Sequence, residues 1–538
     1  MGVSLAGIRR TSWETGPRQA TKLAVLAAGR LVARVRTAMA ILAVASCLAA
    51  AMPAAAANYP LELIAPRAVG TSPSSGLAAM PSGHRIFKAY PGLEYNIRAV
   101  VIGGAYPFTF ALSNMPSGMS INADGTISWP NPTGTTATPT LTVTDAEGTR
   151  VSSSWTITVA TTGFKFVDAS NGNDTSDGSR AAPWRTLAKV HTSGTNADIV
   201  YFRTGTYTPA GIGRSSVGSP WERVEFGSTK PSQWLAYPGE TPVIDFGYVA
   251  GVDPSALIRF QASASTPVYL DGLEGRNFRN IGLQIISGAS DYTIIRRLKL
   301  HHMILGVDGE NPAGIMWTSS YGDSTKYCAV QDSEFYSLNN GGGLKVYSQN
   351  RMVIEDNLFR DSGSGFDLKA HVPRFDVRGN VFRNINGSAL FGNMNTSGSG
   401  EPASGEWRFN NLNVPAAAFA IDVNQDGQAA EIYIYRNTIV GPAQVRNVDS
   451  ADGPFRFRNN VIVNGDSGTP AGSHITQVSV SDTSRIIVTD QLTGSPSAGI
   501  VDSSGSLTPN FERYVGTHGH QLGQNPAAPM PPENVTAD

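Results

Sequence analysis

The sequence predicts an all-β chain whose main body is a right-handed parallel β-helix, preceded by a small β-sandwich. Glycine is abundant, with 57 among 538 residues, and only 15% of the residues are charged, which is typical of β-rich and turn-rich proteins. A repeat of short apolar strands ending at asparagine runs through the second half of the chain. Hydrophobic residues make up 41% of the chain, which is enough to build a core.

The N-terminus has the pattern of an export signal. Arg34 and Arg36 precede an apolar run over residues 38–51, and small residues continue to Ala57. We therefore assign residues 1–57 to a cleaved leader and expect a secreted protein, either extracellular or periplasmic. The apolar run is short and rich in alanine, so we expect no stable membrane span.

Two other leader types remain open, and both depend on residues near this run. Residues 44–47 resemble a lipoprotein box ending at Cys47, although the apolar run continues past it, and Arg9-Arg10 resembles a twin-arginine signal. The chain has one other cysteine, Cys328, so a mature chain without its leader has no internal disulfide and no cysteine-based zinc site. We expect Cys328 to be a buried, inert thiol.

The charge balance indicates the kind of partner. The chain has 41 basic and 42 acidic residues and a net charge of −1. A nucleic-acid-binding protein would have a surplus of basic residues, so we expect no nucleic-acid partner. We also expect a monomer, and the partner that we predict is a polysaccharide, for the reasons that follow.

A linker and a β-sandwich are predicted ahead of the β-helix. Residues 58–82 are rich in Pro, Ser and Gly and are interpreted as a linker, and residues 83–160 contain short alternating strands separated by turn signals. Residues 115–121, followed by residues 125–129, resemble the Ig-like or cadherin-like modules of bacterial exoproteins. This resemblance implies a β-sandwich, and we interpret it as a spacer in preference to a carbohydrate-binding module.

An ordered series of short segments opens the next domain. It comprises residues 164–168, 172–178, 182–187, 197–203, 205–207, 236–240 and 242–245. The series resembles the opening of secreted β-helix proteins of the pectate-lyase-like, polysaccharide lyase type. That resemblance implies a right-handed parallel β-helix over residues 163–515, with a short capping helix near residues 187–190, and residues 516–538 are left as a mobile tail. It recurs across several activities and therefore leaves the substrate open.

The internal repeat supports the β-helix independently. Asn357 recurs as Asn380, and Asn437 recurs as Asn460, each pair 23 residues apart. One such unit cannot bury its apolar face alone, whereas stacked units form a continuous core. Asparagine at the recurring turn can bond both its own backbone and the asparagine of the next coil, so these residues are predicted to be structural. Side-chain alternation is predicted to place one set of residues in the interior: Leu344, Leu368, Leu390, Ile354 and Val377.

The candidate site comes from aligning three successive strands of the repeat. The alignment predicts an outward column of Lys345, Lys369 and Phe391. A second outward column beside it is predicted to contain Tyr347, His371 and Asn393, with Arg374 as a further substrate-binding residue.

Two stacked lysines in a nearly neutral protein call for an anionic partner. Lys345 and Lys369 at the strand spacing repel each other by about 1 kcal/mol in water. Either a neighbouring carboxylate such as Asp367 or a polyanionic ligand can offset that repulsion, and a solvated face of flexible lysines is the alternative. Aromatic and amide groups beside them, at Tyr347, Phe391 and Asn393, favour a sugar site.

An acidic run one coil later predicts a partial calcium site. Residues 422–427 read D-V-N-Q-D-G, with oxygen ligands at alternate positions and a glycine for the turn. Asp367, Asp422, Asn424 and Asp426 are the predicted calcium ligands. The glutamate that would complete an EF-hand loop is missing, since Tyr433 stands at its position, and a plain acidic turn is the alternative.

A cation beside basic residues resembles the arrangement in calcium-dependent β-helix polysaccharide lyases that use a lysine base. The resemblance implies β-elimination on a uronate polymer, with Lys369 as the base and with Lys345 and His371 beside it. Those enzymes often carry a dense aspartate cluster, whereas residues 341–343 and 362–365 here are glycine and serine. Two alternatives remain: a hydrolase that uses paired carboxylates, and a non-catalytic carbohydrate-binding or adhesin protein.

The leader assignment predicts the mass of the mature protein. Cleavage after Ala57 should give a mature chain that begins at Asn58, because small residues precede this bond. Intact-mass analysis of the secreted protein checks this expectation. A mature chain that starts at a lipid-modified Cys47 would show a lipoprotein instead.

Overall fold

The computed structural model of the chain describes most of residues 57–494. The described ranges are 57–73, 78–213, 215–216, 222–247, 257–261, 266–286, 291–305, 312–318, 325–347, 349–369, 372–395, 403–415, 418–426, 431–463, 475–489 and 492–494. The leader up to residue 56 and the predicted tail over 516–538 lie outside the described residues.

The N-terminal module is a β-sandwich of short, mostly antiparallel strands. Its strands are β1 (Glu62–Ala65), β2 (Lys88–Ala89), β3 (Tyr95–Arg98), β4 (Val100–Ile102), β5 (Thr109–Ser113), β6 (Ser120–Ile121), β7 (Thr126–Trp129), β8 (Thr136–Ala137), β9 (Thr140–Thr144), β10 (Arg150–Ser154) and β11 (Ile157–Val159). They form the sheets β1-β4, β10-β9-β5, β2-β11-β8 and β3-β7-β6. A 3₁₀ helix over Arg85–Phe87 precedes β2. Trp129 and Trp155 are buried in the core of this module.

The predicted linker over residues 58–82 is wrong in its first part. β1 lies inside that segment and pairs antiparallel with β4. All four residues of β1 are buried. The apolar run of Leu61, Leu63 and Ile64 explains the difference, because it gains more by burial against the module than by exposure in a linker.

The second domain is a right-handed parallel β-helix built from three long sheets, as predicted. Sheet 1 consists of β12 (Phe164–Val167), β13 (Ile199–Phe202), β17 (Gln233–Ala236), β20 (Tyr269–Asp271), β23 (Ile294–Arg296), β26 (Thr325–Gln331), β29 (Gln349–Glu355), β32 (Phe375–Arg378), β35 (Gly405–Arg408), β38 (Ile432–Tyr435), β41 (Phe455–Arg458) and β44 (Ile486–Thr489). Sheet 2 consists of β14 (Gly205–Tyr207), β18 (Pro242–Asp245), β21 (Glu274–Arg279), β24 (Lys299–Leu305), β27 (Glu334–Tyr336), β30 (Leu358–Ser362), β33 (Val381–Ile385), β36 (Asn411–Asn413), β39 (Thr438–Val440), β42 (Val461–Val463) and β45 (Leu492–Gly494).

Sheet 3 completes each coil between a strand of sheet 2 and the next strand of sheet 1. It consists of β15 (Ser215–Ser216), β16 (Glu222–Phe226), β19 (Leu257–Phe260), β22 (Ile281–Ile286), β25 (Ala313–Thr318), β28 (Gly342–Tyr347), β31 (Ser364–Lys369), β34 (Ser388–Asn395), β37 (Phe419–Asp426), β40 (Ala443–Arg446) and β43 (Ile475–Val478). The predicted capping helix is α1 (Leu187–Ser193), which buries Leu187 and Val190 in the β-helix core. A 3₁₀ helix over Thr483–Arg485 precedes β44. Among the described residues, no helix is long and apolar enough to cross a membrane.

Apolar columns fill the interior of the β-helix. Leu344, Leu368, Leu390, Ile354 and Val377 are all fully buried, which confirms the predicted inward face. Aromatic rings also stack from coil to coil: successive ring centroids in the series Phe335, Phe359 and Phe382 lie 5.1 and 4.8 Å apart. Cys328 is buried in the same core, and burial raises the pKa of its thiol, so it is the inert cysteine that was expected.

A ladder of asparagine side chains marks the turn between sheets 1 and 2. The Nδ2 of Asn357 donates to the Oδ1 of Asn380 at 2.9 Å, and the Nδ2 of Asn437 donates to Asn460 at 3.0 Å. Asn410 joins the two predicted pairs, since it accepts from Asn380 at 2.9 Å and donates to Asn437 at 3.0 Å. The recurring asparagines therefore have the structural role that was predicted.

The Ig-like module packs against the outer face of sheet 1. Tyr201, Tyr269 and Val353 on that face share one apolar cluster with module residues such as Leu63 and Ile97. The module is therefore not the spacer that the sequence suggested, because it buries apolar surface on the β-helix.

Polar contacts extend this interface along sheet 1. The buried guanidinium of Arg98 pairs with Asp332 and Asp356, which follow two successive strands of sheet 1. Further along, Arg408 donates to the carbonyl oxygen of Gly104 at 2.7 Å. These contacts satisfy polar groups that the module removes from water.

The asparagine ladder gives a stability prediction. Asn380→Ala should lower the free energy of unfolding by about 2–3 kcal/mol, because the buried amides of Asn357 and Asn410 and the carbonyl of Ile354 lose their partner. Chemical denaturation measures this change. Asn386→Ala is the matched control on the same coil: its side chain is exposed, so the change should stay within about 0.5 kcal/mol. Equal effects of the two substitutions would contradict the structural role of the ladder.

Candidate functional site

The outer face of sheet 3 carries two neighbouring columns of side chains. In the first column, paired residues on successive strands are Met316, Lys345, Asp367, Phe391, Asp422 and Gln444. In the second column they are Tyr347, Lys369, Asn393, Asn424 and Arg446. The two columns are two residues apart on each strand and therefore lie on the same face of the sheet.

The predicted pairing of the two lysines is wrong by two residues. Lys345 pairs with Asp367 on the next coil, and Tyr347 pairs with Lys369. Lys369 in turn pairs with Asn393, so it does not stack on Phe391. The two lysines are therefore diagonal neighbours in different columns.

Glycine explains the observed register. Gly343 and Gly365 occupy equivalent inward positions, since their neighbours Leu344 and Phe366 pair directly. A Cβ at Gly343 would lie 2.5 Å from the ring of Phe359, and a Cβ at Gly365 would overlap Phe382 in the same way at 2.6 Å. The stacked phenylalanine rings thus require glycine at this level in the two coils that carry the lysines, which aligns their strands. A two-residue shift keeps the inward and outward faces unchanged, so alternation alone did not exclude it.

Lys345 and Asp367 form an ion pair within the first column. The Nζ of Lys345 lies 3.5 Å from Oδ2 of Asp367, and both side chains are largely buried. Burial raises the pKa of the Asp367 carboxyl, although Lys345 and Lys369 oppose that shift. A carboxyl group with a raised pKa can hold a proton near neutral pH more easily than an exposed aspartate can.

Lys369 is half-buried beside this pair. Its Nζ lies 5.6 Å from the centre of the Tyr347 ring, above the ring face. Burial lowers the pKa of Lys369, the positive charge of Lys345 lowers it further, and Asp367 opposes the shift. Lys369 therefore loses its proton at a lower pH than a solvated lysine does.

Asp422 is held by an arginine that the sequence analysis missed. The Nε and Nη2 atoms of Arg446 each lie 2.9 Å from one carboxylate oxygen of Asp422. Arg446 ends the strand Ala443–Arg446, one coil after Asp422. The continuing strand repeat after residue 437 is the signal that could have placed it on this face.

The predicted calcium ligands do not fit a single site. Asp367 and Asp422 are separated in their column by Phe391, so their backbones lie about 10 Å apart. Asp367 is paired with a lysine and Asp422 is bound by an arginine. The Oδ1 of Asn424 accepts a hydrogen bond from Asn447 at 2.7 Å. Within the described part of the chain, no group of three or more His, Cys, Asp or Glu residues could hold a metal ion. The side chain of Asp426 lies outside what the structure describes.

The remaining predicted site residues fall in different places. Arg374 lies on the other side of the β-helix, where its guanidinium is 3.6 Å from Glu62 and 4.5 Å from the centre of the Tyr59 ring. Arg374 therefore contacts the N-terminal segment and does not lie with Lys369 on sheet 3. His371 lies outside the described residues, and so does the side chain of Asn393.

Comparisons with known proteins give one family match, over the N-terminal module, and several distantly similar solved structures. A family model described as "Putative Ig domain" matches residues 86–160, which confirms that the N-terminal sandwich is Ig-like. No curated protein matches the chain. Similar solved structures include a rhamnogalacturonan lyase (15% identity over 61% of this chain and 87% of that chain, TM-score 0.36) and the pectate lyase Pel9A (15% identity over 65% and 82%, TM-score 0.35).

A third similar structure is a GH136 lacto-N-biosidase from Eubacterium ramulus (11% identity over 62% of this chain and 67% of that chain, TM-score 0.31).

The charges around Lys369 predict opposite effects of two substitutions on its pKa. Lys345→Met should raise the pKa of Lys369, because it removes a neighbouring positive charge. Asp367→Asn should lower it, because it removes a carboxylate that stabilises the charged amine. NMR titration of the protein with isotopically methylated lysines measures both shifts, and the Lys369→Arg variant assigns the signal. Shifts of the same sign in both variants would contradict the arrangement.

Proposed function

We propose that the protein is a secreted, carbohydrate-active enzyme whose active face is the outer face of sheet 3. The proposed reaction is β-elimination in an acidic, uronate-containing polysaccharide. The observation that carries this proposal is the half-buried Lys369, whose pKa is lowered by burial and by Lys345. Because Lys369 loses its proton more readily than a solvated lysine does, its neutral amine is suited to act as a general base.

The proposed step moves one proton and breaks one bond. Nζ of Lys369 takes the proton from C5 of the uronate, the electron pair forms the C4–C5 double bond, and the C4–O bond to the leaving sugar breaks. The leaving oxygen must receive a proton, and Asp367, whose pKa is raised, is a nearby group that can supply it. No part of this step uses a metal ion, since the predicted calcium ligands do not fit one site.

The charges on this face support an anionic substrate. From β28 to β40, the described outward side chains of the two columns include three cations, Lys345, Lys369 and Arg446, against two carboxylates. Protonation of Asp367, which its raised pKa favours, would increase the positive surplus. A uronate carboxylate bound here would reduce the repulsion among these cations.

One observation favours a hydrolase as a second candidate. Asp367 and Asp422 stand two coils apart on one face, with about 10 Å between their backbones, and burial raises the pKa of Asp367. Inverting glycosidases use an acid and a base whose carboxyl groups are about 6.5–9.5 Å apart. In that reaction Asp367 would be the acid, and Asp422 would have to leave Arg446 to activate water.

The lyase proposal predicts the effect of removing Lys369. Lys369→Ala should lower turnover on polyuronates by about 100-fold or more while folding is unchanged. Ultraviolet absorbance of the unsaturated product measures the rate. The wild-type rate should pass through a maximum with pH, because the step needs Lys369 as the neutral amine and Asp367 as the protonated acid. Lys299→Ala is the matched control, since this lysine is exposed on sheet 2 and should leave the rate unchanged.

The same assay separates the alternatives. New reducing ends without ultraviolet absorbance, lost in Asp367→Asn and Asp422→Asn but kept in Lys369→Ala, would replace the lyase by a hydrolase. No cleavage of any polyuronate or neutral polysaccharide by the wild type would favour a non-catalytic carbohydrate-binding or adhesin protein.

A further inference from the structure

A second recess lies where sheet 2 turns into sheet 3. The turn between β27 and β28 spans residues 337–341, whereas β30 and β31 are joined by Gly363 alone and β33 and β34 by residues 386–387. This change in turn length leaves an open cleft of about 930 Å³, here called the corner cleft. The described residues that line it are Ile304, Ser337, Asn339, Asn340, Asp361, Gly363, Asn386 and Gly387.

Glycine keeps the floor of the corner cleft free of side chains. A Cβ at Gly363 would lie 2.3 Å from the carbonyl carbon of Asn340, and a Cβ at Gly387 would lie 2.5 Å from the carbonyl oxygen of Gly363. The close approach of successive coils therefore excludes any larger residue at both positions. A ligand in the cleft meets backbone at its floor and side chains only at its walls.

The walls offer amides, a hydroxyl and an apolar surface. Asn339, Asn340 and Asn386 are exposed, and amide groups of this kind both donate and accept hydrogen bonds. Ile304 is 40% exposed, which is unusual for a large apolar residue in the described part of this chain. Apolar surface combined with a few convergent polar groups is typical of sites for sugars and other small polar ligands.

The corner cleft differs in charge from the outer face of sheet 3. Asp361 is the only charged residue among those lining it, and its carboxylate accepts from Arg360 at 2.8 Å and from Asn384 at 2.7 Å. None of the described residues that line the cleft is a lysine or an arginine. Because Arg360 already balances the charge of Asp361, the described lining offers no surplus positive charge to select an anionic sugar, whereas its exposed amides suit an uncharged one.

We propose that the corner cleft is a second glycan-binding site that takes uncharged sugar units. The cleft lies on the coils that carry Lys369 and Phe391, since Gly363 begins the turn into β31 and Asn386 the turn into β34. A polymer held on the outer face of sheet 3 can therefore place a neutral unit or branch in the cleft. This last step rests on the proposed function, and it makes the substrate a heteropolysaccharide with both uronate and neutral sugars. Binding of a neutral glycan by itself does not depend on catalysis.

Calorimetric titration of the full chain with linear neutral hexasaccharides of galactose, xylose, mannose and arabinose tests the proposal. At least one should bind, and Asn386→Ala and Asn339→Ala should each weaken binding about tenfold, which corresponds to the loss of one hydrogen bond. Asn122→Ala, an exposed amide on the Ig-like module, is the control and should bind like the wild type. Thermal unfolding checks that all three variants are folded.

A crossed measurement separates this proposal from the proposed function. Lys369→Ala should keep neutral-glycan binding while it loses polyuronate cleavage. Asn386→Ala should bind neutral glycans more weakly and still cleave short oligouronates. Failure of every neutral hexasaccharide to bind overturns the corner cleft as a glycan site, even if cleavage is found. Binding that is lost in Phe391→Ala but kept in Asn386→Ala also overturns it, because the neutral sugar would then lie on sheet 3. Stronger binding of oligogalacturonate at the cleft residues contradicts the choice of an uncharged ligand.

Discussion

The β-helix depends on one constraint, which is that every coil must stack on the next in a single register. The backbone N–H and C=O groups of each strand bond to the strands of the coils before and after it. An error in the pairing of two strands would therefore propagate along the sheet. Three features impose the register: the amide ladder through Asn357, Asn380 and Asn410, the phenylalanine stack in the interior, and glycines such as Gly343 that make room for those rings. Each amide of the ladder donates to the asparagine of the next coil and accepts from that of the preceding coil, so the ladder determines which asparagines pair.

This register creates the chemistry of the candidate site. Alternation within a strand determines that Lys345 and Lys369 point outward, but the coil-to-coil pairing determines which groups meet. Lys345 forms an ion pair with Asp367. Lys369 lies beside the ring of Tyr347 and near the positive charge of Lys345. The result is one lysine that is neutralised by a carboxylate and another whose proton is destabilised. Two lysines stacked directly would instead have shared the repulsion more evenly.

Much of the fold could be predicted from the sequence, because its signals are local. The strand repeat, the asparagine turns and the inward leucines follow from spacing and alternation, and the structure confirms them. The partners across coils could not be predicted in the same way, since a shift of two residues preserves every inward position. Arg374 shows a second reason: it stands just before β32, and only the tertiary arrangement reveals that Glu62 of the N-terminal segment lies beside it. Arg446 was missed although its strand continued the repeat.

The Ig-like module gives the β-helix a property that a plain stack of coils lacks. In a solenoid each repeat contacts only its neighbours, so unfolding can begin at an end and proceed one repeat at a time. Here residues 58–102, at the start of the module, contact strands that are far apart along sheet 1. Arg85 bonds to Tyr201 on β13, and Asn58 bonds to Arg458 on β41. Coils at the two ends are thereby joined through a common body. Unfolding of a coil at either end must break its contacts with the module. The stability of each end therefore depends on the module, which favours cooperative unfolding of the β-helix.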